Sequence, residues 1–532
     1  MAADIVIRGA TIVDGTGAPG RPGLVAVEKG RIRLLAADAQ LPGVGRTIDG
    51  TGKVLAPGFI DLHSHSGLMI LAEPTHEPKV RQGVTTEVIG VDGLSYAPFA
   101  DKANLDAFVQ MNGGLDGRPD IAIDWSSVSS YLERFDRRVS VNIAVLVGNS
   151  ALRIAALGWD DVPAHQSAAN EMAVLLRESM EEGAFGLSSG LDYPPGAYAT
   201  TDELAALARE AGKLGGIYHS HVRYALGDRF LDPFREAIEI GRLADAPAHI
   251  THFYHRRMFP GTPDQMLDLV DEARSRGIDV TFDAYPYEWA STRLLILIPL
   301  WVQAGGPVRT KERLAERGVR DRIRRELAER GVLFAGPGGL RDIRIGYLHQ
   351  PENLRWEGRT LGEMFDATHI DPVDGLCDLL LGEDLRPNEV TTGPHTDGIR
   401  RFLRHPIGLV GTDSTFVGAK PSPRTYGSYP RILGQFVRDE ALLSLEEAVW
   451  KMTGGPAARL GIKDRGTIRE GAAADLVLFD PATVRSNATY DEPRRYPDGI
   501  EYVIVNGELV VDGGVHTGAT PGRALRRGQS TA

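Results

Sequence analysis

Cysteine is almost missing: Cys377 is the only one in 532 residues. That excludes an intramolecular disulfide and any thiolate-rich zinc site. Long apolar runs are also missing. None approaches the ~18 residues a spanning helix needs, and the opening MAADIVIRGATIVDG has no basic segment leading into an apolar one. The expectation is a cytoplasmic chain with no membrane partner. Positive charge is in deficit, with 59 Lys and Arg against 71 Asp and Glu and a net charge of −12 at pH 7. This argues against a nucleic-acid partner while leaving room for a local basic pocket. No internal repeat or low-complexity tract appears. What remains is an ordinary globular composition, 42% hydrophobic and 24% charged, on a chain long enough for one large domain plus an accessory one.

The two ends share a character that the middle lacks. Residues 1–56 carry short apolar runs separated by tight turns, such as Asp14-Gly15-Thr16-Gly17 and Lys29-Gly30. The far end repeats this over 474–479, 502–505 and 509–511, with Asn506-Gly507 placed as a hairpin turn. One composite β-sandwich built from 1–56 and 464–532 is expected. The middle, 57–463, alternates short apolar runs with amphipathic helices. The runs fall at 54–61, 85–89, 141–147, 184–188, 216–219, 246–251, 279–283 and 407–411. Between them, Thr200-Thr201-Asp202-Glu203 has the form of a capping box, followed by Leu204, Leu207, Ala211 and Leu214 on one face. Eight such units predict an α/β chain folded as a (β/α)8 TIM barrel, with a doubly wound sheet as the weaker alternative. The interval from Trp289 to Pro406 breaks the rhythm with an apolar segment, 294–302, and a charged helix, 311–330. It reads as an inserted subdomain or lid, placed at 289–350 between strands seven and eight.

The chemistry collects at the predicted strand ends. His63 and His65 follow strand one, Asp92 strand two, His221 strand five, His252 strand six and Asp413 strand eight. Four imidazoles and two carboxylates converging on one barrel mouth form a ligand set for divalent metal. Imidazole with carboxylate and no thiolate suits Zn2+ first, with Mn2+ or Co2+ as the other candidates, one or two ions per chain. His219 shares a face with His221 but lies deeper, and His249, three before His252, should face the opposite way. Cys377 lies on a helical apolar face and reads as core.

The order and local words resemble the amidohydrolase superfamily, specifically the D-aminoacylase (N-acyl-D-amino-acid deacylase) family. They include Pro57-Gly58-Phe59-Ile60-Asp61-Leu62-His63-Ser64-His65, Gln82-Gly83-Val84-Thr85-Thr86, the stretch from Gly186 to Gly196, Tyr285-Pro286-Tyr287, Gly411-Thr412-Asp413 and Pro423-Arg424. The resemblance implies His221 and His252 as ligands of a tightly held metal. It implies His63, His65 and Asp413 as ligands of a second site, with Asp413 also the general base. It implies Arg424, Tyr285 and Ser291 as the grip on a substrate carboxylate, and Asn149 at a position where many relatives carry a histidine. Two positions depart. Asp92 stands where the family has a cysteine, and could bridge two metals. Tyr254 stands where the family has a lysine, and could stack on a ring or donate to a neutral oxygen.

The activity implied is hydrolysis of a linear amide, most simply deacylation of an N-acyl-D-amino acid. Attack by metal-activated water would be assisted by Asp413, which takes the proton and returns it to the leaving amine. The alternative is a cyclic amide, imide or lactone hydrolase of hydantoinase or dihydroorotase type on the same centre, suggested by Asp92 and Tyr254. A metal-binding barrel without catalysis is a third class. The expected partner is a small amide bearing a carboxylate, and homo-oligomers are compatible with the sequence.

Overall fold

The computed structural model describes residues 3–36, 39, 43–224, 229–256, 259–332, 338–393 and 395–529. Eight parallel strands form its centre: β1 (Phe59–Asp61), β2 (Val84–Ile89), β3 (Asn142–Val145, resumed as Val147–Gly148), β4 (Gly186–Gly190), β5 (Ile217–His221), β6 (Ala248–Ile250), β7 (Val280–Ala284) and β8 (Gly408–Val410). Each pairs in parallel with the next. The ring closes just beyond the first and last strands, where Ser64 bridges Ser414. There the Asp413 amide donates to the His63 carbonyl at 2.8 Å and the His65 amide to that of Ser414 at 3.0 Å. Among the described residues no helix is long and apolar enough to cross a membrane.

Helices cover the outside of the ring. The helix Thr201–Lys213 buries Leu204, Leu207 and Ala211. Its expected capping box is only half formed. Thr200 accepts from the Glu203 amide, but the Glu203 carboxylate turns away to the buried guanidinium of Arg153 at 2.7 Å. A charged partner outweighs a return bond to the cap.

The expected first strand, 54–61, is two strands in two sheets. Val54–Pro57 pairs antiparallel with Leu476–Phe479 in a seven-stranded sheet from both chain ends. A second sheet, containing Ala3–Arg8, Leu24–Glu28, Arg31–Leu35 and Val44–Asp49, packs on it through Ile5, Ile7, Val25, Leu55, Leu476 and Ile504. Gly58 makes the change of sheet, because a Cβ there would lie 2.2 Å from the Thr85 side chain. The last residues leave this sandwich: Arg523 and Leu525 exchange backbone hydrogen bonds with Ile143 of β3.

The insertion runs past 350. Its antiparallel sheet has Trp289–Arg293 and Arg344–Tyr347 on either side of a central strand, Asn388–Thr392. The sequence Asn-Glu-Val-Thr-Thr there carries a single apolar residue, too little to announce a central strand. The expected long charged helix is two, Gly306–Ala315 and Arg317–Arg330, parted by extended backbone at Glu316. The insertion has its own core, including Leu294, Ile343, Ile345, Leu376 and Cys377.

One buried cation holds the seam of the barrel. Lys79, fully inaccessible, donates to Asp61, to Thr412 Oγ1 at 2.8 Å and to Ser414 Oγ at 3.2 Å. Asp61 in turn accepts from the amides of His63 at 3.1 Å and Thr412 at 2.9 Å. Replacing Lys79 with Met would leave Asp61 buried without its counter-charge, a loss of about 3–5 kcal/mol. The expected result is an earlier midpoint for Lys79→Met in guanidinium unfolding. A midpoint equal to wild type would remove the ion pair from this role.

Candidate metal centre

The strand ends bring His63, His65, Asp92, His221, His252 and Asp413 into one buried cluster with two ligand groups. One is His63, His65, Asp92 and Asp413; the other is Asp92, His221 and His252. Asp92 belongs to both. Its Oδ2 lies 3.3 Å from His63 Nε2, 3.5 Å from His65 Nε2, 3.4 Å from His221 Nδ1 and 3.7 Å from His252 Nε2. Asp413 Oδ1 lies 3.6 Å from His63 Nε2 and 3.3 Å from His65 Nε2.

The backbone is bent to achieve this. Asp92, His252 and Asp413 all have left-handed φ, at 53°, 33° and 49°. Such a conformation costs of order 1–3 kcal/mol per non-glycine residue and persists where the surroundings over-determine it. At Asp92 the constraint is visible, since a Cβ on Gly190 would fall 1.8 Å from the Asp92 carbonyl oxygen. Only glycine lets β4 approach that closely.

Three of the four rings are aimed by a bond on the other side. His65 Nδ1 meets Asp116 at 2.6 Å, His221 Nε2 meets Asp192 at 3.0 Å, and His252 Nδ1 meets the Tyr224 hydroxyl at 3.0 Å. Asp283 accepts from the His252 amide at 2.7 Å, and its other oxygen lies 3.8 Å from His63 Nδ1. Outer partners of this kind fix which imidazole nitrogen faces a metal. Sequence reasoning missed all four. Asp283 was within its reach, because it ends a strand as Asp413 does. Asp116 sits on a loop whose meeting with His65 no spacing announces.

The residues fit a cation. Among the described residues both ring nitrogens of His63 and Nε2 of His65 are buried with no hydrogen-bond partner, a costly arrangement for a polar atom. The separations between Asp92 and the four imidazoles are close to the roughly 3.3 Å between neighbouring ligand atoms on a tetrahedral ion with bonds near 2 Å. Electrostatics agrees. Burial alone would depress the His63 pKa, yet Asp92 and Asp413 outweigh it and lift the ring to about 10. His221, opposed by burial in the same way and held up by Asp92 and Asp192, rises to about 9. Burial pushes Asp92 upward, but the surrounding imidazoles hold it well below the usual carboxylate range.

Two histidines lie below the cluster. His219 stacks on His249 at 5.0 Å, and His249 Nε2 bonds Asp283 at 3.0 Å. His249 was expected on the far face from His252. Instead it points into the barrel, because β6 ends at Ile250 and the chain turns at His252, so the alternation of a strand no longer applies.

The residues expected around a substrate divide. Arg424 is fully buried, with Nη1 2.7 Å from Asp413 Oδ2 and Nη2 donating to the Ser291 carbonyl at 2.9 Å. Its guanidinium lies 4.6 Å from the Tyr285 ring, and the Tyr285 hydroxyl is buried with no hydrogen-bond partner among the described residues. Tyr254 lies 5.5 Å from the His252 ring. Ser291 and Asn149 differ from expectation. The Ser291 hydroxyl donates to Asn388 at 3.0 Å. The Asn149 side chain donates to the Gly196 carbonyl at 3.0 Å and accepts from the Gly190 amide at 3.4 Å, bracing the wall behind Asp92.

Glu389, on the inserted sheet, is buried with neither carboxylate oxygen hydrogen-bonded among the described residues. Burial pushes its pKa up to about 8, against the pull of Arg256 and Arg424. Between 4.5, its ordinary value, and about 8 the folded state keeps a proton that the unfolded state has lost, so stability falls as pH rises through that window. Glu389→Gln is therefore expected to melt above wild type at pH 8 and level with it near pH 4.5. Equal melting at both values would show that the carboxyl is satisfied in solution.

Comparison with known proteins places the chain among its relatives. The sequence pattern described as "Amidohydrolase family" matches residues 46–291 and 372–511, leaving out most of the insertion. The N-acyl-D-glutamate deacylase of Alcaligenes xylosoxydans xylosoxydans is 34% identical over 534 residues, covering 99% of this chain and 98% of that one. The N-acyl-D-aspartate deacylase of the same organism is 34% identical over 536 residues, covering 99% and 96%. Among solved structures, the N-acyl-D-glutamate deacylase of Bordetella bronchiseptica, complexed with zinc and a phosphonate mimic of the tetrahedral intermediate, superposes with a TM-score of 0.83 at 31% identity, covering 99% of this chain and 100% of that one. A D-aminoacylase studied for its binuclear metal centre gives 0.82 at 32%, with the same coverage. A dihydropyrimidinase from Brevibacillus agri, at 0.57 and 16%, shares the fold alone. With the family pattern matched on both sides of the insertion and full-length likeness to these deacylases, the chain belongs to the amidohydrolase family.

Proposed function

We propose that this protein is a zinc-dependent hydrolase that removes the acyl group from N-acyl-D-amino acids. The observation that carries the reading is the pair of ligand groups sharing Asp92, with Asp413 at their edge beside a buried arginine. Full-length likeness to deacylases of two acidic N-acyl-D-amino acids supports the substrate class. The cyclic-amide alternative, suggested by Asp92 and Tyr254, has only more distant relatives behind it, dihydroorotases at 21–22% identity and a dihydropyrimidinase at 16%.

His221 and His252 with Asp92 would hold one ion, and His63 and His65 with Asp413 and the shared Asp92 a second. Zinc bound there supplies Lewis acidity toward the amide carbonyl and lowers the pKa of water. The protein's own part is orientation and proton transfer. Asp413 Oδ2 is held by Arg424 while Oδ1 faces the imidazoles of His63 and His65. In this reading Oδ1 takes the proton from the attacking water and delivers it to the leaving amine nitrogen. Burial and the neighbouring charges oppose each other at Asp413, and Arg424 and His63 prevail to keep its carboxyl below the ordinary range, ionised and ready to accept. Arg424 also offers a guanidinium to the substrate carboxylate, with the Tyr285 hydroxyl beside it.

The test is a metal-to-protein ratio together with turnover on N-acetyl-D-amino acids, their L enantiomers, hydantoins and lactones. Zinc binding with hydrolysis confined to the N-acetyl-D-amino acids is expected, and Asp413→Asn should lower kcat roughly 100- to 10,000-fold. Turnover of hydantoins in preference to linear amides would replace the reading. So would wild-type turnover in a zinc-loaded Asp413→Asn variant.

A further inference from the structure

The central strand of the insertion, Asn388–Thr392, carries different chemistry on its two faces. On one face the Asn388 side chain accepts from the Ser291 hydroxyl. Glu389, one residue on, lies on the other face. It stands directly opposite Thr292 in the neighbouring strand, so those two side chains point the same way. The hydroxyls of Thr292 and Tyr193 bond at 2.8 Å, and the Tyr193 ring lies 4.8 Å from that of His221. The face that carries Glu389 is therefore the one turned towards the metal cluster.

Glu389 also stands beside the expected grip on the substrate carboxylate. Ser291, whose carbonyl accepts from Arg424, pairs with Val390, the next residue to Glu389. Paired strands lie only about 4.8 Å apart. A substrate held by Arg424 would thus have Glu389 within the length of its own side chain.

Two properties of this carboxyl define what could meet it. It is fully buried, and neither oxygen has a hydrogen-bond partner among the described residues, a cost that a bonded ligand would remove. Burial also keeps its proton on at pH 7, with the pKa pushed up to about 8. The group then offers one donor and one acceptor. An acidic side chain would bury a second carboxylate against it. A basic one would require the carboxyl to ionise against the burial that neutralises it. A carboxamide has an N–H to give and a carbonyl to receive, and matches both oxygens without charge.

We propose that Glu389 reads the side chain of the substrate and selects a carboxamide there, as in an N-acyl-D-glutamine or N-acyl-D-asparagine. The inference rests on the deacylase reading above and deepens it. It gives this chain a side-chain preference different from the acidic amino acids for which two of its relatives are named.

The test is kcat/KM on N-acetyl-D-glutamine, N-acetyl-D-glutamate, Nα-acetyl-D-lysine and N-acetyl-D-leucine. Wild type should favour the glutamine derivative over the other three by roughly 10- to 100-fold, the worth of one or two buried hydrogen bonds. Glu389→Leu should cut the glutamine-to-leucine ratio by the same factor. Glu389→Gln should keep most of it, because an amide also donates and accepts. Each readout is a ratio within one protein, so partial unfolding of a variant does not move it. A wild type that prefers the glutamate, lysine or leucine derivative overturns the proposal. So does a wild-type ratio in Glu389→Leu, or a lost preference in Glu389→Gln. A wild type inactive on every N-acetyl-D-amino acid is a different failure. It defeats the deacylase reading itself, and this inference falls with it.

Discussion

The contact between Lys79 and Asp61 is the constraint on which the barrel mouth depends. A barrel needs its first and last strands joined, and here the strand-to-strand pairing at that seam is sparse, a bridge between Ser64 and Ser414 with two backbone bonds. The buried ammonium of Lys79 spans the gap by reaching Asp61 on one side and Thr412 and Ser414 on the other. Asp61 then holds the amides of His63 and Thr412. The ion pair thereby sets the distance between the histidines that follow β1 and the aspartate that follows β8. A dry interior makes such a pair stiff, since neither partner can be replaced by water.

Above that seam, charge compensation organises the site. Asp92 faces four imidazole nitrogens at 3.3–3.7 Å. Asp116, Asp192 and Asp283 turn three of the rings from behind, and Tyr224 helps turn the fourth. Carboxylates outside and one carboxylate at the centre favour positive charge where the inner nitrogens converge, which is the electrostatic form of a cation site. The left-handed backbone at Asp92, His252 and Asp413 shows that local conformational preference gives way to this arrangement.

The barrel was legible because its signals are local. Short apolar runs alternate with helical faces, and polar residues at their ends recur in an order that spacing alone can register. The His63-Ser64-His65 pair, Asp92, His221, His252 and Asp413 could each be picked out in this way. Where prediction went wrong, tertiary contact had overridden a local pattern. A continuous apolar run, 54–61, was divided between two sheets by the approach of Thr85 to Gly58. Glu203 preferred a buried arginine to its cap. The alternation that should have turned His249 away ended where β6 ended. The strand Asn388–Thr392 lies within an insertion and carries little apolar signal, so its place at the centre of a sheet was invisible.

By itself, then, the sequence determined the architecture and the identities of the residues at the strand ends, because periodicity and residue chemistry are properties of neighbouring positions. Only the tertiary structure decided their relations. Asp92 sits between both ligand groups, and the side chains of Ser291 and Asn149 are spent on internal hydrogen bonds. Arg256 donates to the Tyr254 hydroxyl, and Glu389 lies buried near two arginines. These are contacts between elements tens to hundreds of residues apart, or between side chains whose direction depends on where a strand stops. Burial and distance set their energies, and neither is written in the order of residues.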